Sequence, residues 1–220
     1  MSCSVELTQV LIAKFCHDLA GTMGAVGNAI EFLSMDNEQM RKKAVDLVSV
    51  SAQHAIANLR FFREAYGISK NRGEANLDDI RELCTVFLEC SSKITLDFQR
   101  KYCHQPEVFI SLGIGKLVLC VVSVAATTLL HGGVIKVEVD KTSAGAKVII
   151  SGIGSGLKIN EVHHNILRGK TKDTTLSTLN VHYYYTRMLL EELGAKLVIN
   201  SHSDKIEYIV EQRPFARTKS

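Results

Sequence analysis

Two proline-free heptad seams at the start of the chain constrain its fold more than any other feature. Ile12, Cys16, Leu19, Met23, Val26, Ile30 and Leu33 advance in steps of four and three, and Val45, Val48, Ala52, Ala55, Leu59, Phe62 and Tyr66 do the same. That spacing predicts two long helices, each with one apolar stripe. MDNEQ at 35–39 interrupts the pattern with capping residues, and Gly67 offers a stop for the second helix. Two helices joined by a short polar turn form an antiparallel hairpin, which cannot bury stripes of this length by itself. Pairing two hairpins into a four-helix bundle would bury them, so a homodimer is the economical expectation.

Beyond the seams the character changes. ISKNRGEA at 68–75 is polar and glycine-containing, a candidate linker, which divides the chain into a hairpin domain at 1–70 and a second domain at 74–220. LDDIRELCTVFLECS has a helical pattern, ITLDF and EVFIS have strand patterns, and a helix is expected over about 113–131. VIKVEVD and AKVIIS follow as strands, then the turn GIGSG, a helix over about 177–193, and the strands AKLVINS and KIEYIVEQ. The expected class is α+β, a layer of mostly antiparallel strands backed by helices.

Composition excludes several functions. The chain has 220 residues, 46% hydrophobic and 22% charged, as suits a globular protein, and its net charge of +3 points to neither a nucleic-acid nor a membrane partner. The apolar run LGIGKLVLCVVSVAATTLL is interrupted by Lys116 and small polar residues, so it reads as a buried helix. MSCSVELTQVL lacks the features of a signal peptide, and the six cysteines show neither a CxxC pair nor zinc spacing. The expectation is a cytoplasmic protein with reduced thiols and no metal. A Gly-x-Ser-x-Gly elbow, a P-loop and an HExxH motif are all absent.

The stretch KFCHDLAGTMGAVGNAIEFL then poses a contradiction. Gly21, Gly24 and Gly27 sit inside the first helix, where each costs about 0.8–1 kcal/mol relative to alanine. His17 flanks the seam, and Ala13, Lys14, Ala20, Gly21, Gly24 and Asn28 recur on its face, which is almost bare of side chains. On one reading, the small residues let another helix approach closely and His17 is an ordinary surface histidine. On the other, the stripe is a docking floor for a partner protein and His17 is a nucleophile, since neutral imidazole carries a nucleophilic nitrogen near pH 7. Asp18 could hold the other ring nitrogen and fix the tautomer. Lys14 could meet the charge of an incoming phosphoryl group, or could simply be solvated. Elsewhere, His163 and His164 are expected at a solvated helix end, His54 beside its seam, and YYYTRMLLEEL in core packing.

FCHDLAGTMGAVGNAIEFL resembles the phosphoacceptor helix of two-component signalling proteins. His17, Asp18 and Leu19 match the opening of the histidine-kinase box, Thr22 replaces its proline, and Gly21 stands where phosphatase-competent kinases carry Thr or Asn. The Cys-His-Asp-Leu opening and the following Gly-Ala, Asn and Glu-Phe-Leu are similar to ChpT-type histidine phosphotransferases of alphaproteobacterial phosphorelays. The resemblance implies a helical hairpin in a dimer followed by a degenerate histidine-kinase ATPase-like α/β sandwich. It also implies phosphoryl relay between response-regulator receiver domains, including that of a hybrid histidine kinase, with His17 as the phosphorylated residue.

The kinase nucleotide boxes can be checked against this sequence. The metal-binding asparagines fall at Cys120 and Val124, the adenine-reading aspartate at Gly152 of GIGSG, and the later glycine box at Asn180, Val181, His182 and Tyr183. Neither Cys120 nor Val124 offers the hard oxygen ligands that magnesium needs. The expectation is therefore no ATP and no resident cofactor, with Mg²⁺ supplied by the partner receiver. The rival readings are an ATP-dependent sensor kinase core and a non-enzymatic module that sequesters a regulator.

Overall fold

The computed structural model describes residues 5–68, 73–90, 93–100, 108–142, 145–170 and 175–212. Helices α1 (Val5–Leu33) and α2 (Glu38–Tyr66) form the expected antiparallel hairpin. Asn37 caps α2, its side chain accepting from Met40 N at 3.1 Å. At the far end Gly67 is required by crowding, not by its dihedrals, because a Cβ there would lie 2.2 Å from Arg63 O. The Gly67 carbonyl accepts from Lys116, the one charge in the long apolar run.

Next come β1 (Glu74–Asn76), α3 (Leu77–Glu89), β2 (Ile94–Arg100), β3 (Phe109–Ser111), α4 (Leu112–Thr128), β4 (Gly133–Thr142) and β5 (Gly145–Ile153). The described chain ends with α5 (Glu161–Leu167), α6 (Val181–Glu192), β6 (Lys196–Ser201) and β7 (Lys205–Gln212). The main sheet has the order β2-β4-β5-β7-β6, with β2 parallel to β4 and the other pairs antiparallel. Polar side chains start the helices: Asn76 caps α3, Ser111 caps α4 and Asn160 caps α5. Helix α4 is buried nearly all round, from Leu117 through Ala125, as a core helix with apolar residues on every side must be.

Several expectations need correction. The end of the candidate linker is strand β1, which pairs with β3 in a separate two-stranded sheet, so EVFIS does not join the main layer. The last helix begins at Val181, not at 177, because Asn180 folds back. Its Oδ1 accepts from Ser177 N at 2.8 Å and its Nδ2 donates to Thr175 O at 2.9 Å, closing a turn before the helix. Cys16 is exposed, since its neighbour Phe15 takes the inward position and stacks on Phe62 with ring centroids 4.6 Å apart. His164 is fully buried in α5, donating from Nδ1 to Asn160 O at 2.9 Å and bonding Tyr208 at 2.8 Å through Nε2. Cys84, Cys90, Cys120 and Cys16 are free thiols, while Cys3 and Cys103 lie outside the described residues.

The main buried core does not stop at the hairpin. Phe61, Phe62 and Ala65 of α2 belong to the same cluster as Leu77, Ile80, α4 and the inward residues of β4, β5 and β7. No helix among the described residues is long and apolar enough to cross a membrane.

Candidate functional site

His17 stands on α1 with 83% of its side chain exposed. The helix turns about 100° per residue, so Ala13, Ala20, Gly21, Gly24 and Asn28 fall on the same side, and all five are exposed. A Cβ added at Gly21, Gly24 or Gly27 would meet nothing within 4 Å. Close packing within the chain therefore does not explain these glycines; the strip they leave is open surface.

The other side of the same turn is fastened. Lys14 donates to both carboxylate oxygens of Asp18, a full turn on, and each side chain is 22% exposed. Asp18 Oδ1 also lies 3.4 Å from His17 Nδ1. The tautomer with its proton on Nδ1 directs that proton towards the carboxylate and leaves the lone pair on Nε2. Lys14 is thus neither merely solvated nor a free cation; its charge is matched by Asp18. Below Phe15, Tyr66 tilts against it at 5.1 Å and sets its hydroxyl 2.7 Å from His182 Nδ1 on α6.

Lys14, Asp18 and His182 line a cavity of about 420 Å³ between the hairpin and the second layer, with Phe62, Ser123 and Thr127 among its other walls. Burial pushes the His182 pKa down to about 4, with Lys14 lowering it further and Asp18 opposing. In the sequence His182 stands out only as one of the residues in place of the later glycine box. Its contact with Tyr66 spans 116 positions and leaves no local signal.

The positions aligned with kinase nucleotide boxes are filled by core. Cys120 and Val124 are buried in α4, at 0% and 1% exposure. A Cβ at Gly152 would lie 3.3 Å from Ile206 and 3.4 Å from the Thr128 hydroxyl, so a side chain there fits only if Ile206 gives by a few tenths of an ångström. Between α4 and α6, Tyr183 is buried and its hydroxyl lies 2.8 Å from that of Thr127. Among the described residues no group of three or more His, Cys, Asp or Glu is placed to hold a metal ion.

Comparison with known proteins agrees with this architecture. The chain is 23% identical over 210 residues to protein phosphotransferase ChpT of Brucella abortus (strain 2308), covering 94% of this chain and 96% of that protein. A bacterial phosphotransferase solved at 1.7 Å superposes with a TM-score of 0.83 at 22% identity, over 96% of this chain and 98% of that one. The histidine kinase ThkA, crystallised in complex with response regulator protein TrrA, matches with a TM-score of 0.51 at 17% identity, over 94% of this chain and 62% of that one. The hairpin followed by a histidine-kinase ATPase-like layer is thus a shared fold. A family model for the histidine phosphotransferase C-terminal domain matches residues 77–205. That match spans more than half of the 220 residues, and the chain belongs to the histidine phosphotransferase family.

Proposed function

We propose that this chain relays a phosphoryl group between response-regulator receiver domains through phosphohistidine at His17. The observation that carries the reading is the contrast on one helical turn: an imidazole 83% exposed above an open, side-chain-poor strip, with its Nδ1 side held by Asp18. Nε2 attacks the phosphorus of a receiver phosphoaspartate; the P–N bond forms as the acyl P–O bond breaks, and the receiver carboxylate leaves. The reverse step delivers the group to an aspartate on a second receiver, with that of a hybrid histidine kinase as one of the pair. The protein's contribution is orientation, and the receiver brings its own Mg²⁺ and acidic pocket.

The same reading assigns the second layer no nucleotide chemistry. Its support is that Cys120, Val124 and Tyr183 are core residues and that Gly152 carries no carboxylate. It also assigns a homodimer in the cytoplasm, with division of labour near residue 70. Seam residues Ile12, Met23, Ile30, Val45 and Leu59 are 52–56% exposed in the single chain, an apolar set that a second hairpin would cover.

The test is label transfer from prephosphorylated receiver domains to wild type and to His17→Ala, beside an arm with ATP alone. Acid-labile label on wild type only, from receivers and not from ATP, is the expected result. Label on His17→Ala would remove His17 as the nucleophile, and label from ATP would restore the kinase reading. Receivers bound without label would favour a sequestering module.

A further inference from the structure

We propose that His182 and Tyr66 are positioning residues for the transfer step: their hydrogen bond braces the phosphoacceptor turn of α1 against α6. The inference rests on the relay reading of His17 and concerns how that residue is aimed.

The brace is continuous. Phe15, two residues before His17, stacks on Phe62 with rings 14° from parallel and tilts against Tyr66. Tyr66 in turn packs edge-on to Tyr185 at 4.9 Å and places its hydroxyl 2.7 Å from His182 Nδ1. In the tautomer with its proton on Nε2, His182 accepts at Nδ1 from the phenol O–H. His182 is 7% exposed and shares the cavity wall with Lys14 and Asp18. Residues 14, 15 and 18 occupy one arc of the helix beside His17, and the brace and the ion pair take hold of that arc. The opposite arc, Ala13, Ala20 and Gly24, stays free. A side chain 83% exposed has Asp18 as its one polar neighbour among the described residues, so the direction in which His17 projects depends on what holds its turn. Near-attack geometry is sensitive at this scale, since a misplacement of about 1 Å can cost on the order of a hundredfold in rate.

The experiment is single-turnover transfer from a phosphorylated receiver over a range of receiver concentrations, beside labelling of His17 by the small donor phosphoramidate. Tyr66→Phe keeps the ring and its stacking but removes the hydroxyl. The expected result is a maximal transfer rate lower by about tenfold, with half-saturation and phosphoramidate labelling unchanged. His182→Asn, which keeps an acceptor near the Nδ1 position, should retain most of the rate, and His182→Leu should lose as much as Tyr66→Phe. The double variant Tyr66→Phe with His182→Leu should be no slower than either single one. Wild-type transfer by Tyr66→Phe would overturn the brace while leaving the relay intact, provided His17→Ala is inert. A parallel fall in phosphoramidate labelling or a change in half-saturation would mean general loss of folding and would also overturn it. Label on His17→Ala would defeat the relay reading, and the brace with it.

Discussion

Asp18 Oδ1 accepts from Lys14 Nζ while lying 3.4 Å from His17 Nδ1. One carboxylate oxygen therefore mediates between a fixed cation and the nucleophile's ring, and its removal should affect chemistry more than folding.

Asp18→Asn is expected to slow transfer about tenfold, because the imidazole loses the charge that orders its tautomer and Lys14 is left unpaired. Stability should change by no more than about 1 kcal/mol, the usual worth of a partly exposed pair. Single-turnover kinetics and urea denaturation of the same preparation check the two halves. A large loss of stability with little loss of rate would contradict the assignment.

Gly24→Leu separates the helix from its use. With no atom within 4 Å of a Cβ at Gly24, the substitution should raise stability by up to about 1 kcal/mol through helix propensity. Transfer should nevertheless be lost, because the new side chain stands on the strip below His17. Thermal denaturation and label transfer are the measurements, and undiminished transfer would count heavily against a docking floor.

Acid should weaken the fold through His182. Its pKa falls from 6.5 to about 4 on burial, so between these values the unfolded chain binds the proton that the folded chain refuses. Stability is then fully present above pH 6.5 and declines as pH falls towards 4, by roughly 3 kcal/mol for a shift of this size. Buried His164, also shifted down chiefly by desolvation, adds in the same direction. Urea midpoints measured from pH 7 to 4.5 should show the decline, and His182→Asn should flatten much of it.

The exposed seam makes a prediction about assembly. Ile30→Glu combined with Val45→Glu places charge on the apolar set near the hairpin turn, and sedimentation should show twice the chain mass for wild type and a single chain for the variant. A monomeric wild type would remove the bundle from the proposal.

Much of this could be read from the chain because it is periodic. The four-three spacing from Ile12 to Tyr66 marks out α1 and α2, and Asn37 and Gly67 close α2 at its two ends. The strands from Val134 onward also lay close to their expected spans, since short β-branched runs between turns carry a local signal. What sequence could not show was set by distant partners. His164 reads as an exposed polar residue until Tyr208, 44 positions away, covers it. β1 has three residues, too few for a pattern, and exists because β3 lies beside it. At the site, His17 and its bare strip were legible as a break in helix propensity. The ion pair of Lys14 was hidden between two acceptable alternatives, and the role of His182 depended on Tyr66.

Phe61, Phe62 and Ala65 share a core with α4 and the sheet. The histidine helix packs on a helix anchored in that core, so the layers should melt together. In the proposed relay, tempo would then follow the traffic of visiting receivers: how many are charged, how many are empty, and how often each one lands.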